Sequence, residues 1–379
     1  MNISMRLLND LTPAQFLAEY WQKKPLLIRQ AIPNFSGLLT PNELAGLACE
    51  ENVESRIVTY KRKQWQLRFG PFEEDDFLQL PARNWTLLVQ NLNHHLSEAA
   101  EFLQQFNFIP YARLDDLMVS YAPDGGGVGP HFDSYDVFLL QGSGKRKWRI
   151  SDQTDLTLLD GAPLKILQHF DTIAEWVLEP GDMLYLPPKL AHWGIAEGDH
   201  CMTYSIGFRA PKVQELAQEF LSFLQEKLQL EGMYQDPDLG LQTHPAEISL
   251  EMVQQVSQMM QQVHWQQHDV GHFLARYLSE LKSHVFFAPV KKISQEKFQQ
   301  WLSSKTLRLD KKSQMLFYDQ HFYLNGELMH VPNDLNACMQ KLADMRYLNL
   351  STLSLNEIQH QSFSACCYDA YLAGWLCFD

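Results

Sequence analysis

Apolar residues follow helical spacing near both ends of this chain and strand-like alternation in its middle. Residues 12–15, Thr-Pro-Ala-Gln, predict a helix start with a capping box and proline at the first helical position. Short strands are predicted over residues 54–60 and 64–69, and the leucine spacing of residues 85–106 predicts a further helix. The first hundred residues are therefore expected to mix helices with strands.

Strands are expected to dominate residues 117–208, where short alternating runs are separated by glycine and proline turns. Many short strands at close intervals are typical of a barrel or sandwich. Within this region, Gly142-Ser143-Gly144 predicts a hairpin turn between strands at 136–141 and 145–150. Pro211 ends the strand-rich block.

Helical spacing returns after Pro211, with helices predicted over residues 214–230, 247–262 and 270–281. The second of these carries an apolar stripe of Met252, Val253, Val256, Met259 and Met260. Such a stripe is usually core, although it could equally bury a subunit interface. The last hundred residues predict a helix at 294–302, strand pairs with a tight Asn325-Gly326 turn, and helices near 334–344 and 362–376. An α+β protein of two or three domains is expected.

Two segments of the predicted barrel carry side chains with metal-binding chemistry. His131 and Asp133 follow a glycine-rich run, and strand spacing of i and i+2 would put both side chains on one face. His192 lies downstream, after a predicted strand at 183–186 and a Pro-Pro stop. Two histidines and one carboxylate, with the opposite positions open, are typical of non-haem Fe(II) oxygenases. Alone, His-x-Asp is a weak signal, and His192 by itself would be read as a loop histidine.

Arg146 is the second candidate functional residue. Alternation through residues 145–150 puts Arg146 on one face with Trp148 and Ile150, and the other three cations of the segment on the opposite face. A buried arginine is costly unless it meets an anion, and its planar fork suits a carboxylate held bidentately. The partner is either a buried Asp or Glu of this chain or the distal carboxylate of a dicarboxylate cosubstrate.

Acidic residues exceed basic ones in only part of the chain. The formal net charge is −14, and residues 1–281 hold 36 Asp and Glu against 21 Lys and Arg, whereas residues 282–379 hold nine against ten. The acidity therefore belongs to the region that carries the candidate site. It makes free nucleic acid a poor partner and favours a basic polypeptide, although acidic surfaces are often mere solubility devices.

Composition indicates a folded protein of a reducing compartment. Hydrophobic residues make up 45% of the 379 residues, and the six cysteines are scattered, so we expect reduced, packed thiols. No apolar run approaches the roughly 18 residues of a membrane span, and the polar start lacks the core of a signal peptide. A cytoplasmic protein without membrane contact is expected.

Four motifs of this chain together resemble one enzyme family. They are Gly-Val-Gly-Pro-His131-x-Asp133, Gly-x-Gly-Lys-Arg146-x-Trp148, Glu-Pro-Gly-Asp-x-Leu-Tyr-x-Pro-Pro-x-x-x-His192, and the run Tyr-Ser-x-Gly-Phe-Arg-Ala-Pro at 204–211. They resemble the JmjC-type 2-oxoglutarate oxygenases, and are most similar to the bacterial YcfD-type ribosomal oxygenases. Residues 20–28 and 115–121 are similar to that branch as well.

The resemblance implies a fold and a division of the chain. It implies a double-stranded β-helix (cupin/JmjC) barrel with an N-terminal extension over residues 1–210, a helical dimerisation segment over 211–281, and a winged-helix-like domain over 282–379. A homodimer is implied by the same likeness.

The resemblance also implies the cofactors and their ligands. Fe(II) would be held by His131, Asp133 and His192, and 2-oxoglutarate by Arg146, with dioxygen as the third reactant. Ser120 and Thr203 would line the same pocket, although the relatives carry asparagine where this chain has Thr203.

The implied reaction is hydroxylation of an arginine, at its β-carbon, in a large-subunit ribosomal protein. A cationic substrate needs acidic or aromatic neighbours, for which Asp115, Asp116 and Tyr135 are the candidates, with solvated or turn-forming roles as the alternative. Two other functions stay open, a JmjC-type lysine or arginine demethylase and a non-catalytic cupin binding module. The intact set of three implied metal ligands and Arg146 argues against the non-catalytic module.

Overall fold

The computed structural model describes residues 7–379 and divides the chain into two compact units that meet at Ala210 and Pro211. The first six residues, on which part of the signal-peptide expectation rested, lie outside the described range. Each unit has a hydrophobic core of its own.

The first unit combines short helices with a large antiparallel sheet. Its helices are α1 (Pro13–Glu19), α2 (Pro41–Ala48), α3 (Glu74–Leu78) and α4 (Ser97–Leu103). Its strands are β1 (Leu26–Ile28), β2 (Ser55–Lys61), β3 (Gln64–Phe69), β4 (Trp85–Val89), β5 (Leu114–Ala122), β6 (Val137–Ser151), β7 (Ala174–Leu178), β8 (Met183–Leu186) and β9 (Ala191–Phe208). The predicted capping box is confirmed, since the Thr12 and Gln15 side chains each bond the other's backbone amide.

Two long strands, β6 and β9, organise the barrel. They pair along their whole length, from Val137 opposite Gly207 to Ser151 opposite Ala191. On the other edge of β6, the first half pairs with β8 and the second half with β7. These strands form one nine-stranded sheet ordered β1-β8-β6-β9-β5-β4-β2-β3, from which β7 branches at the second half of β6. The part made of β7, the second half of β6 and the first half of β9 is named the smaller sheet. The candidate site lies on this smaller sheet.

The predicted hairpin turn at residues 142–144 is wrong. Gly142-Ser143-Gly144 lies inside the continuous strand β6, and the pairing with β9 shifts register on both sides of Ser143. Gly144 has φ +60, and a side-chain carbon at Gly142 would lie 2.4 Å from the Tyr204 ring. The glycines therefore mark bulges in β6, at the point where its pairing changes from β8 to β7.

The predicted helix over residues 85–106 is also wrong for its first half. Residues 85–89 form β4, which pairs with β2 on one side and with β5 on the other. Asn91 has φ +51 and separates this strand from a short 3-10 helix and from α4. The leucines of a strand buried between two neighbours mimic helical spacing, because such a strand is apolar on both faces.

An aromatic cluster fills the larger core of the first unit. The rings of Phe16, Phe138 and Tyr185 meet with centroids 4.9 to 5.4 Å apart. The Tyr185 hydroxyl donates to the buried carboxylate of Asp136 at 2.6 Å, so the phenol has a polar partner inside the core. This packing fixes β6 against β8.

The second unit is a smaller α+β structure. Its helices are α5 (Val213–Lys227), α6 (Leu250–Met260), α7 (Gln267–Ser279), α8 (Gln295–Leu302), α9 (Asn336–Met345) and α10 (Glu357–Leu372). Its strands are β10 (Leu307–Leu309), β11 (Met315–Tyr318), β12 (His321–Leu324), β13 (Glu327–Met329), β14 (Tyr347–Leu348) and β15 (Leu376–Phe378). The helices predicted from periodicity are confirmed within a few residues, apart from the ends of α10, and the Asn325-Gly326 turn joins β12 to β13 as predicted.

Two expectations from composition can be compared with the structure. All six cysteines are free, in agreement with packed, reduced thiols. Within residues 7–379, no helix is both long and apolar enough to cross a bilayer.

Candidate metal and cosubstrate site

A glycine-rich segment carries His131 to the smaller sheet. Gly125 and Gly126 exchange backbone hydrogen bonds with Ala196 of β9, and His131 does the same with His192. A side-chain carbon on Gly127 would lie 2.4 Å from the carbonyl oxygen of Gly194, so only glycine allows this close approach. The segment thus runs as an irregular strand along the free edge of β9.

His131 and Asp133 do not lie in a regular strand, contrary to the sequence expectation. His131 forms a single bridge with His192, and the chain leaves the sheet directly after it. Asp133 is instead held by its carbonyl oxygen, which accepts from the Lys189 amide at 2.7 Å. Because Lys189 belongs to the turn that leads into β9, this bond keeps Asp133 beside the strand that carries His192.

The side chains of His131, Asp133 and His192 converge on one point. Their potential ligand atoms all lie within 4.8 Å of one another. His192 Nε2 is 3.6 Å from an Asp133 carboxylate oxygen, and the two imidazole rings have centroids 4.3 Å apart. His192 is 2% exposed, whereas His131 and Asp133 are half-buried. The group is therefore closed on the His192 side and open on the other.

Backbone carbonyls fix which nitrogen each histidine presents. His131 Nδ1 lies 2.9 Å from the Gly129 oxygen, and His192 Nδ1 lies 2.9 Å from the Leu190 oxygen. A carbonyl can only accept, so each Nδ1 carries the proton and each Nε2 keeps its lone pair. Burial lowers the pKa of His192, with His131 adding to the effect and Asp133 opposing it. Two neutral imidazoles and one carboxylate are a donor set that suits Fe(II).

Arg146 lies in the same smaller sheet and is 4% exposed. Its Nε donates to the Cys201 sulfur at 3.3 Å, while its buried Nη2 has no hydrogen-bond partner among the residues that the structure describes. The Trp148 ring is near both this guanidinium and the candidate metal ligands, with its centroid 5.8 Å from the Arg146 Cζ and 5.8 Å from the His192 ring. The predicted face assignment is confirmed, since Trp148 and Ile150 are buried with Arg146.

The buried Nη2 of Arg146, which lacks a hydrogen-bond partner among the described residues, could bind a carboxylate of a cosubstrate. A buried guanidinium nitrogen without a partner costs free energy, and a carboxylate is the anion that its geometry matches. Within residues 7–379, the structure records no ion pair for Arg146 with an acidic residue, which removes the first of the two partners considered from the sequence. The residues present therefore fit both Fe(II) and a dicarboxylate such as 2-oxoglutarate.

A row of polar side chains crosses three strands beside Arg146. Ser120 of β5 is opposite Thr203 of β9, which in turn is opposite Gln141 of β6. The Thr203 hydroxyl donates to Gln141 Oε1 at 3.0 Å, and the Gln141 amide reaches the Cys201 sulfur at 3.4 Å. Thr203 and Arg146 are thus linked through Gln141 and Cys201.

The sequence does not predict that Gln141 and Cys201 lie beside Arg146. Gln141 lies at the end of an apolar run and Cys201 was counted only among scattered thiols, so neither carried a signal of function. The pairing of β6 with β9 brings them together, since the Cys201 sulfur accepts from both the Arg146 Nε and the Gln141 amide. A polar residue that closes an apolar strand run was the one available hint.

The three substrate candidates fall into different environments. Asp116 is 5% exposed and accepts hydrogen bonds from the Gln90 side chain and the Asn91 amide, so its carboxylate is already engaged within the fold. Asp115 is half-buried, and Tyr135 is 39% exposed. Burial raises the pKa of Tyr135, and the nearby carboxylates of residues 133, 116 and 115 raise it further against the opposing effect of Arg56. Tyr135 therefore keeps its hydroxyl proton beside an acidic group.

Two family models match the chain. A JmjC domain matches residues 101–216, and a ROXA-like winged helix matches residues 258–377. The first match contains all three metal ligands and Arg146. The second begins before α7 and ends within β15.

Curated relatives and solved structures are similar over most of the chain. The ribosomal protein uL16 3-hydroxylase of Escherichia coli (strain K12) is 38% identical over 275 residues, which span 72% of this chain and 73% of that protein. A probable ribosomal oxygenase of Haemophilus influenzae is 42% identical over 236 residues, spanning 61% of this chain and 56% of that protein. The structure of YcfD, a ribosomal oxygenase from Escherichia coli, in complex with cobalt and 2-oxoglutarate superimposes with a TM-score of 0.84 at 32% identity, covering 98% of this chain and 99% of that one.

More distant relatives match about half of the chain. Bifunctional lysine-specific demethylase and histidyl-hydroxylase NO66 of Drosophila persimilis is 25% identical over 51% of this chain and 29% of its own length. The match to the Escherichia coli hydroxylase, by contrast, extends over more than two thirds of both proteins.

The predicted fold class, a cupin/JmjC barrel followed by a winged-helix domain, is confirmed by these matches, and so is the expectation of an oxygenase that uses Fe(II), 2-oxoglutarate and dioxygen. The chain belongs to the JmjC-domain ribosomal oxygenases, a family of 2-oxoglutarate-dependent enzymes.

Proposed function

We propose that this enzyme hydroxylates the β-carbon of an arginine in a large-subunit ribosomal protein of the uL16 type. The name of the Escherichia coli relative supports the protein substrate, and its designation as a 3-hydroxylase points to carbon 3 of an amino acid, the β-carbon. The observation that supports the chemistry most is the convergence of His131, Asp133 and His192 beside the unpartnered Nη2 of Arg146.

In this proposal each residue of the site has one task. Nε2 of His131, Nε2 of His192 and a carboxylate oxygen of Asp133 would hold Fe(II), and Arg146 would hold the distal carboxylate of 2-oxoglutarate. When bound, iron and 2-oxoglutarate supply the oxidising chemistry, in which dioxygen is consumed and 2-oxoglutarate is decarboxylated. The chain contributes orientation and an apolar wall, since the buried Trp148 ring packs near both His192 and the Arg146 guanidinium. Ser120 and Thr203 would line the cosubstrate pocket.

The open side of the metal group is the proposed entrance for the substrate arginine. Tyr135 and Asp115 are the candidates to meet its guanidinium, because Tyr135 is exposed and lies among carboxylates. Asp116 is a weaker candidate than the sequence indicated, since its carboxylate accepts bonds from Gln90 and Asn91. A desolvated Asp–Arg contact would resist salt, whereas a purely surface attraction would be screened beyond about 8–10 Å.

The primary experiment compares uL16 purified from cells with and without the gene. Mass spectrometry of proteolytic peptides should find one added oxygen on an arginine only when the gene is present. The demethylase alternative, which the NO66 likeness keeps in view, would instead remove methyl groups from a methylated peptide. Loss of methyl groups without a gain of oxygen on uL16 would overturn the proposal.

The residue assignments are tested with a peptide that contains the modified arginine. Asp115→Asn and Tyr135→Phe should weaken peptide turnover at both low and high salt while 2-oxoglutarate affinity stays at the wild-type value. Asp160→Asn is the control, because it removes one exposed carboxylate from the same unit. If both variants match the control at every salt concentration, the arginine is recognised elsewhere.

We also propose a cytoplasmic homodimer whose interface includes α6. None of the residues of α6 is buried within the chain, although Val253, Val256 and Met260 form part of an apolar stripe. Val256→Glu with Met260→Glu should produce monomers in light-scattering measurements. Gln254→Glu with Gln258→Glu adds the same charge to the opposite face and should leave the dimer intact. A wild-type monomer at micromolar concentration would contradict the proposal.

The excess of acidic residues leads us to expect no direct binding to free nucleic acid.

A further inference from the structure

A second group of histidines lies in the C-terminal unit, outside the JmjC domain. His268 and His272 are four residues apart on α7, so both side chains project from one face of the helix. The turn between β11 and β12 brings Asp319 and His321 to the same place. His268 Nε2 lies 2.9 Å from His272 Nε2 and 3.7 Å from an Asp319 carboxylate oxygen. The His272 and His321 rings have centroids 4.6 Å apart.

Hydrogen bonds hold the rings of two of these imidazoles in place. His321 Nδ1 lies 2.8 Å from the Asp319 carbonyl oxygen, which can only accept, so this Nδ1 is protonated and Nε2 keeps its lone pair. His272 Nδ1 lies 2.7 Å from the Tyr323 hydroxyl. Metal-binding histidines commonly engage their second nitrogen in this way, which fixes the ring and leaves the first for the ion.

The packing of α7 on the hairpin holds the group in place. His272 is 6% exposed, and a side-chain carbon at Gly271 would lie 2.3 Å from the Tyr318 ring, so helix and strand are in direct contact. Asp319 and Gln320 have φ of +44 and +65, the left-handed pair of a tight hairpin turn. His272 is thus a fixed donor, whereas the exposed side chains of His268, Asp319 and His321 can rotate toward it.

The distance between the two helix nitrogens indicates which ions fit. Nitrogens 2.9 Å apart that each lie about 2.1 Å from one ion subtend about 90° at that ion. This angle is typical of neighbouring ligands in octahedral or square-planar coordination, as for Ni(II), Co(II) and Cu(II), and is narrower than the tetrahedral angle of zinc. A cavity of about 630 Å³ lies beside the turn that carries two of these side chains, and its lining includes Asp319, His321 and His330.

We propose that His268 and His272, completed by Asp319 and His321, bind a divalent transition-metal ion separate from the catalytic iron. The ion would join α7 to the β11–β12 turn and stabilise the C-terminal unit, since metal that binds only the folded state raises stability. The alternative is a simple hydrogen-bonded histidine pair, in which one Nε2–H donates to the other nitrogen and no ion is held.

The test uses the untagged full chain with the catalytic ligands removed by His131→Ala and His192→Ala. Calorimetric titration of this variant with Ni(II) and Co(II) should give about one ion per chain and raise the thermal unfolding midpoint. Adding His268→Gln and His272→Gln should abolish both effects, because glutamine preserves hydrogen bonding but binds these ions poorly. His264→Gln, on the exposed segment before α7, is the matched control and should retain full binding.

Cu(II) gives a second measurement of metal binding that does not depend on enzyme activity. Its electron paramagnetic resonance spectrum in the variant lacking His131 and His192 should show nitrogen couplings from at least two imidazoles, lost with His268→Gln and His272→Gln. Binding that persists after this pair is changed, or a chain that takes up no ion when only the catalytic histidines are absent, would overturn the proposal. Far-ultraviolet circular dichroism and the unfolding midpoint in chelator establish that each variant is folded.

Discussion

His131 and His192 exchange both of their backbone hydrogen bonds, at 3.0 and 2.8 Å, and so form one antiparallel bridge. Directly opposed residues of such a bridge point their side chains to the same side, which is why the imidazole centroids are only 4.3 Å apart. Sixty-one positions separate the two residues in the sequence, yet a single pair of peptide groups sets the distance between two proposed metal ligands. The geometry of the proposed iron site therefore depends on strand pairing as much as on the ligands themselves.

Removing either histidine should abolish metal binding at the catalytic site. We expect His131→Ala and His192→Ala to lose 2-oxoglutarate turnover while their circular dichroism stays that of the wild type, because the backbone bridge does not need the imidazoles. Turnover and iron content per chain are the measurements. His200→Ala, an exposed histidine of the same strand, should behave as wild type. Full turnover by His192→Ala would show that the ligand set is wrong.

Arg146→Ala should raise the 2-oxoglutarate requirement far more than the peptide requirement. Breaking a buried charge pair on one side costs about 3–5 kcal/mol, which is a loss of affinity of roughly a hundredfold or more. The apparent KM for each substrate is the measurement. Lys147→Ala is the control. Lys147 is next to Arg146 in the sequence, but its side chain faces the other way and pairs with Glu197 at 2.5 Å. An unchanged KM for 2-oxoglutarate would remove Arg146 from the pocket.

Gly127→Ala should weaken iron binding although residue 127 is not a ligand. The added carbon would lie 2.4 Å from the Gly194 oxygen and would push the segment that carries His131 away from β9. We expect iron affinity at least tenfold lower, about 1.4 kcal/mol, with most of the fold retained. Gly46→Ala is the comparison, because nothing lies within 4 Å of its new carbon and alanine favours a helix interior by about 0.5–1 kcal/mol. Equal iron affinity in both variants would contradict this account of the glycine segment.

Protonation of the Asp182 carboxylate should make the first unit less stable in acid. Burial alone would raise the pKa of this carboxyl, but bonds from the Gln30 and Glu179 amides and from Arg29 outweigh it and lower the pKa. A lowered folded-state pKa gives stability that is present above the unfolded value of about 3.9 and is lost as the pH falls through the folded value. We expect Asp182→Asn to lose about 1.5–3 kcal/mol at neutral pH.

The difference between Asp182→Asn and wild type should shrink as the pH falls below about 4, because the unfolded chain then binds a proton at Asp182 before the folded carboxyl does. It should be smallest below the lowered folded-state pKa, where the folded carboxyl is protonated as well. Urea unfolding at a series of pH values measures it. Asp160→Asn, at an exposed position, should follow the wild-type curve throughout. A gap for Asp182→Asn that stays constant down to pH 2 would show that its charge does not contribute.

The sequence by itself determined the chemistry of the site. Imidazole, carboxylate and guanidinium groups keep the same chemistry wherever the fold places them, so His131, Asp133, His192 and Arg146 could be chosen from the sequence. Alternation along residues 145–150 also placed Arg146 correctly in the interior. Helix ends such as the Thr12 capping box and the tight turn at Asn325 were also predicted, because both depend on residues a few positions apart.

Only the tertiary structure decided where strands bend and which polar groups are already engaged. Gly142 and Gly144 were read as a turn but lie within β6, since a bulge is defined by the partner strand and not by local sequence. Residues 85–89 were read as helix but pair with β2 and β5. The Asp116 carboxylate accepts a hydrogen bond from Gln90, 26 positions away, a contact that the sequence does not predict. Each of these outcomes depends on contacts between distant segments, and local propensity carries no information about such contacts.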